Sequence, residues 1–168
     1  SDMNYLVTGG AGFIGSALCL ELAARPGARI VVIDKMSYAA NPASLAPLAA
    51  RSGFRLIEAD IADRDQVEQA IRECAPDAIF HLAAETHVDR SIDSAAPFIQ
   101  TNIVGTAVML EAARAWWNAL KCEAKARFRF VHVSTDEVFG SLGAEGRFSE
   151  TTAYAPNSPY SASKAGSD

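Results

Sequence analysis

The sequence predicts an α/β fold built on a doubly wound parallel sheet, and three observations carry that prediction. Short apolar runs alternate with stretches of helical spacing along the chain, each run is apolar throughout, and the first run passes through a glycine cluster straight into a helix. Strands buried on both faces lose the in-out alternation of a half-solvated sheet, and helices between parallel strands supply the cover. Right-handed crossovers then wind the chain to both sides of the sheet.

Tyr5-Leu6-Val7 opens the sheet, and from Phe13 to Ala24 apolar residues recur at helical spacing, with Ile14, Leu18 and Leu22 on one stripe. Arg29 to Ile33 forms a second strand that ends at Asp34, and the Pro- and Ala-bearing stretch to Ala50 reads as a loop with a short helix. Phe54 to Ala59 is the third strand; Asp63 is placed to cap a periodic helix that runs to about Cys74. Pro76-Asp77 interrupts, Ala78 to Leu82 is the fourth strand, Pro97 to Asn118 is a long helix, and Phe128 to Val133 is the fifth strand. A last helix opens near Ser158 and runs toward Asp168.

The 168 residues, 49% hydrophobic and 21% charged, suit one soluble globular domain. A net charge of −5 with scattered Lys and Arg excludes a nucleic-acid backbone as the main partner. Cys19, Cys74 and Cys122 are far apart, odd in number and unpaired in any metal-like spacing, so they read as reduced thiols of a cytosolic protein with no metal site. No run reaches the roughly 18 to 20 apolar residues of a membrane span, and no secretion signal opens the chain. Ser1-Asp2 ahead of Met3 reads as a vector-derived remnant.

Residues 8–15, T-G-G-A-G-F-I-G, contain both G-x-G-x-x-G (Gly10, Gly12, Gly15) and G-x-x-G-x-x-G (Gly9, Gly12, Gly15). Glycines let the backbone turn tightly, approach a pyrophosphate without an intervening Cβ and pack the helix close to its strand. The phosphates then sit at the positive end of the helix. Asp34 ends the second strand 19 residues after Gly15, where an acceptor for a ribose hydroxyl belongs. The pattern therefore predicts a Rossmann-type dinucleotide-binding domain. The carboxylate favours NAD over NADP because it would repel a 2′-phosphate, although Lys35 beside it is a cation of the opposite tendency. Asp60-Ile61, at the end of strand three, could border the adenine, or Asp60 could be a solvated turn acid.

A doubly wound dinucleotide fold uses about six strands. Residues 1–168 are accordingly expected to be one incomplete NAD-binding domain, the N-terminal part of a larger protein, without strand six and a substrate domain. The outer edge of strand five is expected to be covered by another chain, or the last ten residues to be poorly ordered.

In S-P-Y-S-A-S-K, Tyr160 and Lys164 lie four apart, which places them on one helical face. An amine near a phenol stabilises the phenolate and lowers its pKa from about 10, making a base suited to alcohol oxidation. Asp136 and Glu137 adjoin in V-S-T-D-E-V-F-G, directly after the fifth apolar run. Neighbouring carboxylates there are either a solvated turn or a site for proton transfer.

The glycine turn with Tyr160 and Lys164 resembles the extended short-chain dehydrogenase/reductase superfamily. Further stretches resemble its nucleoside-diphosphate-sugar 4,6-dehydratases, most closely the dTDP-glucose branch: D-K-M-S-Y-A-A-N (34–41), H-L-A-A-E-T-H-V-D-R-S-I (81–92), T-N-I-V-G-T (101–106), S-T-D-E-V-F-G (134–140) and Y-A-P-N-S-P-Y-S-A-S-K-A-G-S-D (154–168). They follow in order along the whole chain. Phe139 stands where tyrosine is common in that family and Ala153 where proline is frequent; neither change touches the chemistry.

The resemblance implies oxidation of a hexose at C4 by tightly held NAD, loss of water across C5 and C6, and return of the hydride to C6. Tyr160 would take the C4 hydroxyl proton, Lys164 would support it and touch the nicotinamide ribose, and Thr135 would bind the C4 oxygen. Asp136 would protonate the departing C6 hydroxyl and Glu137 would remove the C5 proton. Repulsion and partial burial of this pair would keep one carboxyl protonated. Relatives that epimerise or decarboxylate generally lack the Asp-Glu pair.

Cofactor contacts implied by the same resemblance come from Gly9, Gly12, Phe13, Ile14 and Gly15 in the first turn, and from Asp34 and Lys35 after strand two. Asp60, Ile61, Leu82, Ala83, Ala84, Tyr160 and Lys164 complete that set. Thr86 would touch the sugar together with Thr135, Asp136 and Glu137. His87, Asp89 and Arg90 read as a local cluster, and His81 and His132 as structural. Trp116-Trp117 could be core or a face for a homodimer of the full-length enzyme. A UDP-glucose dehydratase, or a fragment that binds NAD without turnover, are the alternatives.

Overall fold

The computed structural model describes residues 2–168, so Ser1 of the expected N-terminal remnant lies outside it. Five strands form one sheet: β1 (Asn4–Thr8), β2 (Arg29–Asp34), β3 (Phe54–Glu58), β4 (Ala78–His81) and β5 (Arg129–His132). Their order is β3-β2-β1-β4-β5 and every pairing is parallel. The order reverses between β1 and β4, the place where a doubly wound sheet opens a crevice at the carboxyl ends of its strands.

Successive strand residues point to opposite faces, and each face has its own core. Leu6, Ile33 and Ile79 pack on one side against Val67 and Ile71 of α3 (Arg64–Cys74) and Met109 and Ala112 of α6 (Thr106–Ala119). Tyr5, Val7, Ile30 and Val32 pack on the other against Cys19 and Leu22 of α1 (Phe13–Ala23), with Leu45 of the 3₁₀ turn Pro42–Leu45 and Leu48 of the short α2 (Ala46–Ala49). Each fully buried aliphatic side chain contributes about 1.5–3 kcal/mol. Asp63 caps α3 by accepting from the Gln66 N–H at 3.2 Å, as the spacing predicts.

Several elements differ from the sequence reading. The buried stripe of α1 is Gly15, Cys19, Leu22 and Ala23, whereas Ile14 is 63% exposed, because the close approach of the glycine turn rotates the small residues toward the sheet. β3 and β5 carry exposed residues since they are the sheet's edges and have cover on fewer sides. The long helix expected from Pro97 is entered through α5 (Ala96–Phe98) and then runs through a π-helical stretch, Ile99–Gly105, before α6. Two short helices, α4 (Val88–Asp93) and α7 (Cys122–Arg127), fill stretches to which the sequence reading assigns no element. The last residues form α8 (Pro159–Ser167). Among the described residues no strand pairs with the outer edge of β5, and no helix is long and apolar enough to cross a membrane.

Candidate active site

A cleft of about 520 Å³ lies over the carboxyl ends of β1, β2 and β4. Its floor is the glycine turn. Gly9 adopts φ +70°, and a Cβ there would lie 2.8 Å from the Ala83 Cα, so the turn needs both a left-handed conformation and close approach to the strand beside it. A Cβ on Gly15 would strike the Gly9 carbonyl oxygen, the contact that seats α1 on the turn. Gly12 caps α1 without a side-chain hydrogen bond, so the first-turn N–H groups open toward the cleft, which Phe13 and Ile14 also line.

Asp34 is 8% exposed, lines the cleft and holds the turn in place. Its Oδ2 accepts from the Ala11 N–H at 2.9 Å and its Oδ1 from the Met36 N–H at 2.8 Å. Each oxygen keeps a second lone pair. Ile61 also lines the cleft, but Asp60 does not: its carboxylate accepts from the Ala62 N–H at 2.9 Å, the turn-acid alternative.

The wall from Leu82 to Ala84 is fixed from below. The Thr8 hydroxyl oxygen accepts from the Leu82 and Ala83 N–H groups at 3.2 and 3.1 Å and lies 2.7 Å from His81 Nδ1. With both lone pairs engaged, the hydroxyl must donate to Nδ1, which leaves the proton of neutral His81 on Nε2, facing the Thr106 hydroxyl at 2.8 Å. Burial, with His132 and Lys164 nearby, pushes the His81 pKa down to about 3. Both histidines are structural, as the sequence suggests, and their rings stack at 5.4 Å.

Opposite stands α8, whose capping box between Ser158 and Ser161 and Pro159 in the first turn fix its start. Tyr160 and Lys164 both face the cleft from it. The Tyr160 N–H donates to Ser91 Oγ at 3.1 Å, and its carbonyl accepts from Ser163 Oγ at 2.7 Å. Asn102, in the π-helical stretch, donates to Ser163 Oγ at 2.9 Å and to the Glu85 carbonyl at 3.1 Å, tying α8 to the β4 loop.

Here the sequence expectation needs correcting. The Tyr160 pKa is not lowered; the phenol is raised above its usual value by burial, relieved by Thr135 and reinforced by the Glu137 and Asp136 carboxylates. The Lys164 ammonium instead donates to the Val133 carbonyl at 2.7 Å, and burial pulls its own pKa down.

Thr135, Asp136 and Glu137 form the start of a single 3₁₀ turn, Asp136–Phe139, in which Thr135 Oγ1 accepts from the Glu137 N–H at 3.3 Å. Val138 is the residue that turns inward, at 1% exposure, so both carboxylates are exposed rather than partly buried as expected. They remain close enough to act on the Tyr160 phenol. The cleft wall itself passes through Val133 and Ser134, with Thr86 and His87 across from it.

Glu85, Thr101 and Asn102 escaped the sequence reading. All three are buried, and the available signal was polar residues inside otherwise apolar or small-residue stretches. Arg90 stacks over the Tyr38 ring at 3.9 Å, so the local-cluster reading of residues 87–90 holds for it.

A family profile described as GDP-mannose 4,6 dehydratase matches residues 6–168. A dTDP-glucose 4,6-dehydratase of Xanthomonas campestris is 53% identical over 98% of this chain, which covers 47% of that protein. Among solved structures, a dTDP-glucose 4,6-dehydratase from Streptomyces venezuelae with NAD bound superposes with TM-score 0.84 at 44% identity, over 98% of this chain and 49% of that one. A UDP-glucose 4-epimerase from Thermus thermophilus, in complex with NAD, superposes with TM-score 0.82 at 32% identity, over 98% and 48%. The chain thus spans about half the length of the relatives it matches, and scaffold alone does not separate dehydratase from epimerase. The profile match over nearly the whole chain, on a parallel sheet with a glycine turn facing Tyr160 and Lys164, shows that the chain belongs to the GDP-mannose 4,6 dehydratase family within the extended short-chain dehydrogenase/reductases.

Proposed function

We propose that this chain is the NAD-binding half of a nucleoside-diphosphate-hexose 4,6-dehydratase whose substrate is dTDP-glucose and whose product is the 4-keto-6-deoxy sugar. The observation that carries the reading is that the 3₁₀ turn begun by Thr135, Asp136 and Glu137 packs against α8, near enough for both carboxylates to raise the Tyr160 pKa. Similarity to dTDP-glucose 4,6-dehydratases supports it.

NAD fits the cleft on the chain's own features: a glycine turn that tolerates no Cβ at Gly9 or Gly15, an uncapped helix start at Gly12, and an acceptor at Asp34. Gly9, Gly12, Phe13, Ile14 and Gly15 would hold the pyrophosphate; Asp34 and Ile61 the adenosine; Leu82 to Ala84, Tyr160 and Lys164 the nicotinamide side. Bound there, NAD would supply the hydride acceptor for C4 and the hydride donor for C6.

The remaining work belongs to side chains. Tyr160 takes the C4 hydroxyl proton and Thr135 holds that oxygen. Lys164 has two N–H groups beyond the one given to Val133, enough to steady the phenolate and a ribose hydroxyl together. Once C4 is a carbonyl, the C5 hydrogen is acidic and Glu137 removes it, returning that proton to C5 when hydride reaches C6. Hydroxide leaves C6 poorly without a proton, which Asp136 gives. Thr86, on the opposite wall, contacts the sugar. The full-length enzyme works as a homodimer, and the unpaired Cys19 and Cys74 thiols suit the cytosol.

A second reading, NAD binding without turnover by these residues alone, draws on the exposure of Asp136 and Glu137. One experiment separates the readings. The full-length protein and residues 1–168 are each incubated with dTDP-glucose and with UDP-glucose, and the 4-keto product is followed by its absorbance in alkali. Product from dTDP-glucose with the full-length protein is expected. Product from neither sugar sinks the dehydratase reading, and preference for UDP-glucose replaces its substrate.

A further inference from the structure

Resting on the NAD reading above, we infer that Glu85 sets the choice of dinucleotide: it draws the Lys35 ammonium away from the ribose held by Asp34, so that a 2′-phosphate finds no cation. Lys35 directly follows Asp34 at the end of β2 and lines the cleft, the position from which an amine could pair with such a phosphate. Its Nζ instead donates to Glu85 Oε1 at 2.5 Å and to Thr101 Oγ1 at 3.2 Å.

Glu85 is built to keep that hold. The residue is 8% exposed, and its other carboxylate oxygen accepts from the Tyr38 hydroxyl at 3.1 Å. Asn102 fixes its backbone twice, accepting from the Glu85 N–H at 2.9 Å and donating to the Glu85 carbonyl at 3.1 Å. The other nearby cation, Arg90, is occupied above the Tyr38 ring. Counting Asp34 as −1, Lys35 as +1 and Glu85 as −1 leaves −1, which repels a phosphate. Neutralising Glu85 brings the sum to zero and frees the amine to turn. Charge-assisted hydrogen bonds form on rotation of one flexible side chain, so the change needs no movement of the fold.

Equilibrium binding of NAD and of NADP is measured for the parent protein, Glu85→Gln, Lys35→Ala and the double variant. Glu85→Gln is expected to bind NADP about tenfold tighter, the value of one added charged hydrogen bond, while keeping NAD; the double variant should return NADP to the parental weakness. Lys35→Ala alone leaves a sum of −2 and should bind NADP no more tightly than the parent. If Glu85→Gln holds NAD but gains nothing for NADP, the inference fails and the NAD reading stands. A parent protein that binds neither dinucleotide overturns both. Should Glu85→Gln not fold, Glu85→Ser takes its place, and a variant that holds NAD but gains nothing for NADP overturns the inference.

Discussion

Lys164 donates to the Val133 carbonyl at 2.7 Å, while Tyr160, one turn earlier on the same helix, has its pKa raised by burial, relieved by Thr135 and reinforced by Glu137 and Asp136. The phenol therefore faces burial and two carboxylates, which hold it protonated. A base must lose its proton near working pH, so the site acquires that capacity only when positive charge, from a bound ligand or the remaining N–H groups of Lys164, comes to bear on the ring.

The first prediction follows from that balance. In the chain without ligand, Tyr160 should titrate above the usual value of about 10, read by NMR of tyrosine carbons labelled at Cζ and assigned with Tyr160→Phe. Replacing Asp136 with Asn and Glu137 with Gln together should lower it, since both carboxylates raise it. The sign for stability follows. A folded pKa above the unfolded one leaves stability intact below about 10 and lowers it as pH rises through the folded value. Titration of Tyr160 at or below the free-tyrosine value would show that Lys164 or Thr135 outweighs burial.

Gly9→Ala tests the cleft floor. The residue has φ +70°, and the new methyl would sit 2.8 Å from Ala83. Strain in the left-handed region costs about 1–2 kcal/mol, and the displaced β4 loop should abolish NAD binding. Gly143→Ala is the control, because a Cβ there meets nothing within 4 Å. Chemical denaturation and dinucleotide titration of both variants check this; equal loss of stability in the two would remove the special role of Gly9.

The parts of the fold that repeat locally were legible: strand runs, the α3 cap at Asp63, and the glycine turn followed by Asp34. Those features depend on residues near each other in sequence. Contacts that join distant elements were not. Glu85 meets Lys35 across 50 residues and Asn102 meets Ser163 across 61, and no periodicity encodes either. The π-helical stretch was hidden as well, since Gly105 lies where a Cβ would be 2.6 Å from Ile61, a packing constraint rather than a spacing. Chemistry-bearing pairs such as Tyr160 and Lys164 were visible, while the direction in which the lysine spends its charge depends on Val133, a carbonyl with no side-chain signature.

His81 should govern part of the acid response. It is 1% exposed and its pKa is held down to about 3 by burial first, then by His132 and Lys164. The unfolded chain takes up this proton near pH 6.5 and the folded one resists, so stability is full above that value and falls as pH drops toward the folded pKa. The slope reaches about 1.4 kcal/mol per pH unit. His81→Gln should be less stable at neutral pH, through loss of the bonds to Thr8 and Thr106, yet show a flatter decline between pH 6 and 4, a window of about two units. Urea midpoints at several pH values give the comparison; identical slopes would assign acid sensitivity elsewhere.

Asp136 and Glu137 are neighbours on one 3₁₀ turn, but their proposed tasks fall at different bonds, and deuterium oxide separates them. In the full-length enzyme, Asp136→Asn removes the proton donor at C6 while leaving the base, so product should fall roughly a hundredfold to ten-thousandfold and C5 should still exchange its hydrogen with solvent. Glu137→Gln removes the base, so both product and exchange should fall. Proton NMR of recovered dTDP-glucose reads the exchange. If Asp136→Asn stops exchange and Glu137→Gln permits it, the two roles are reversed; if both variants turn over normally, neither carboxylate carries the elimination and the turn is only a solvated one.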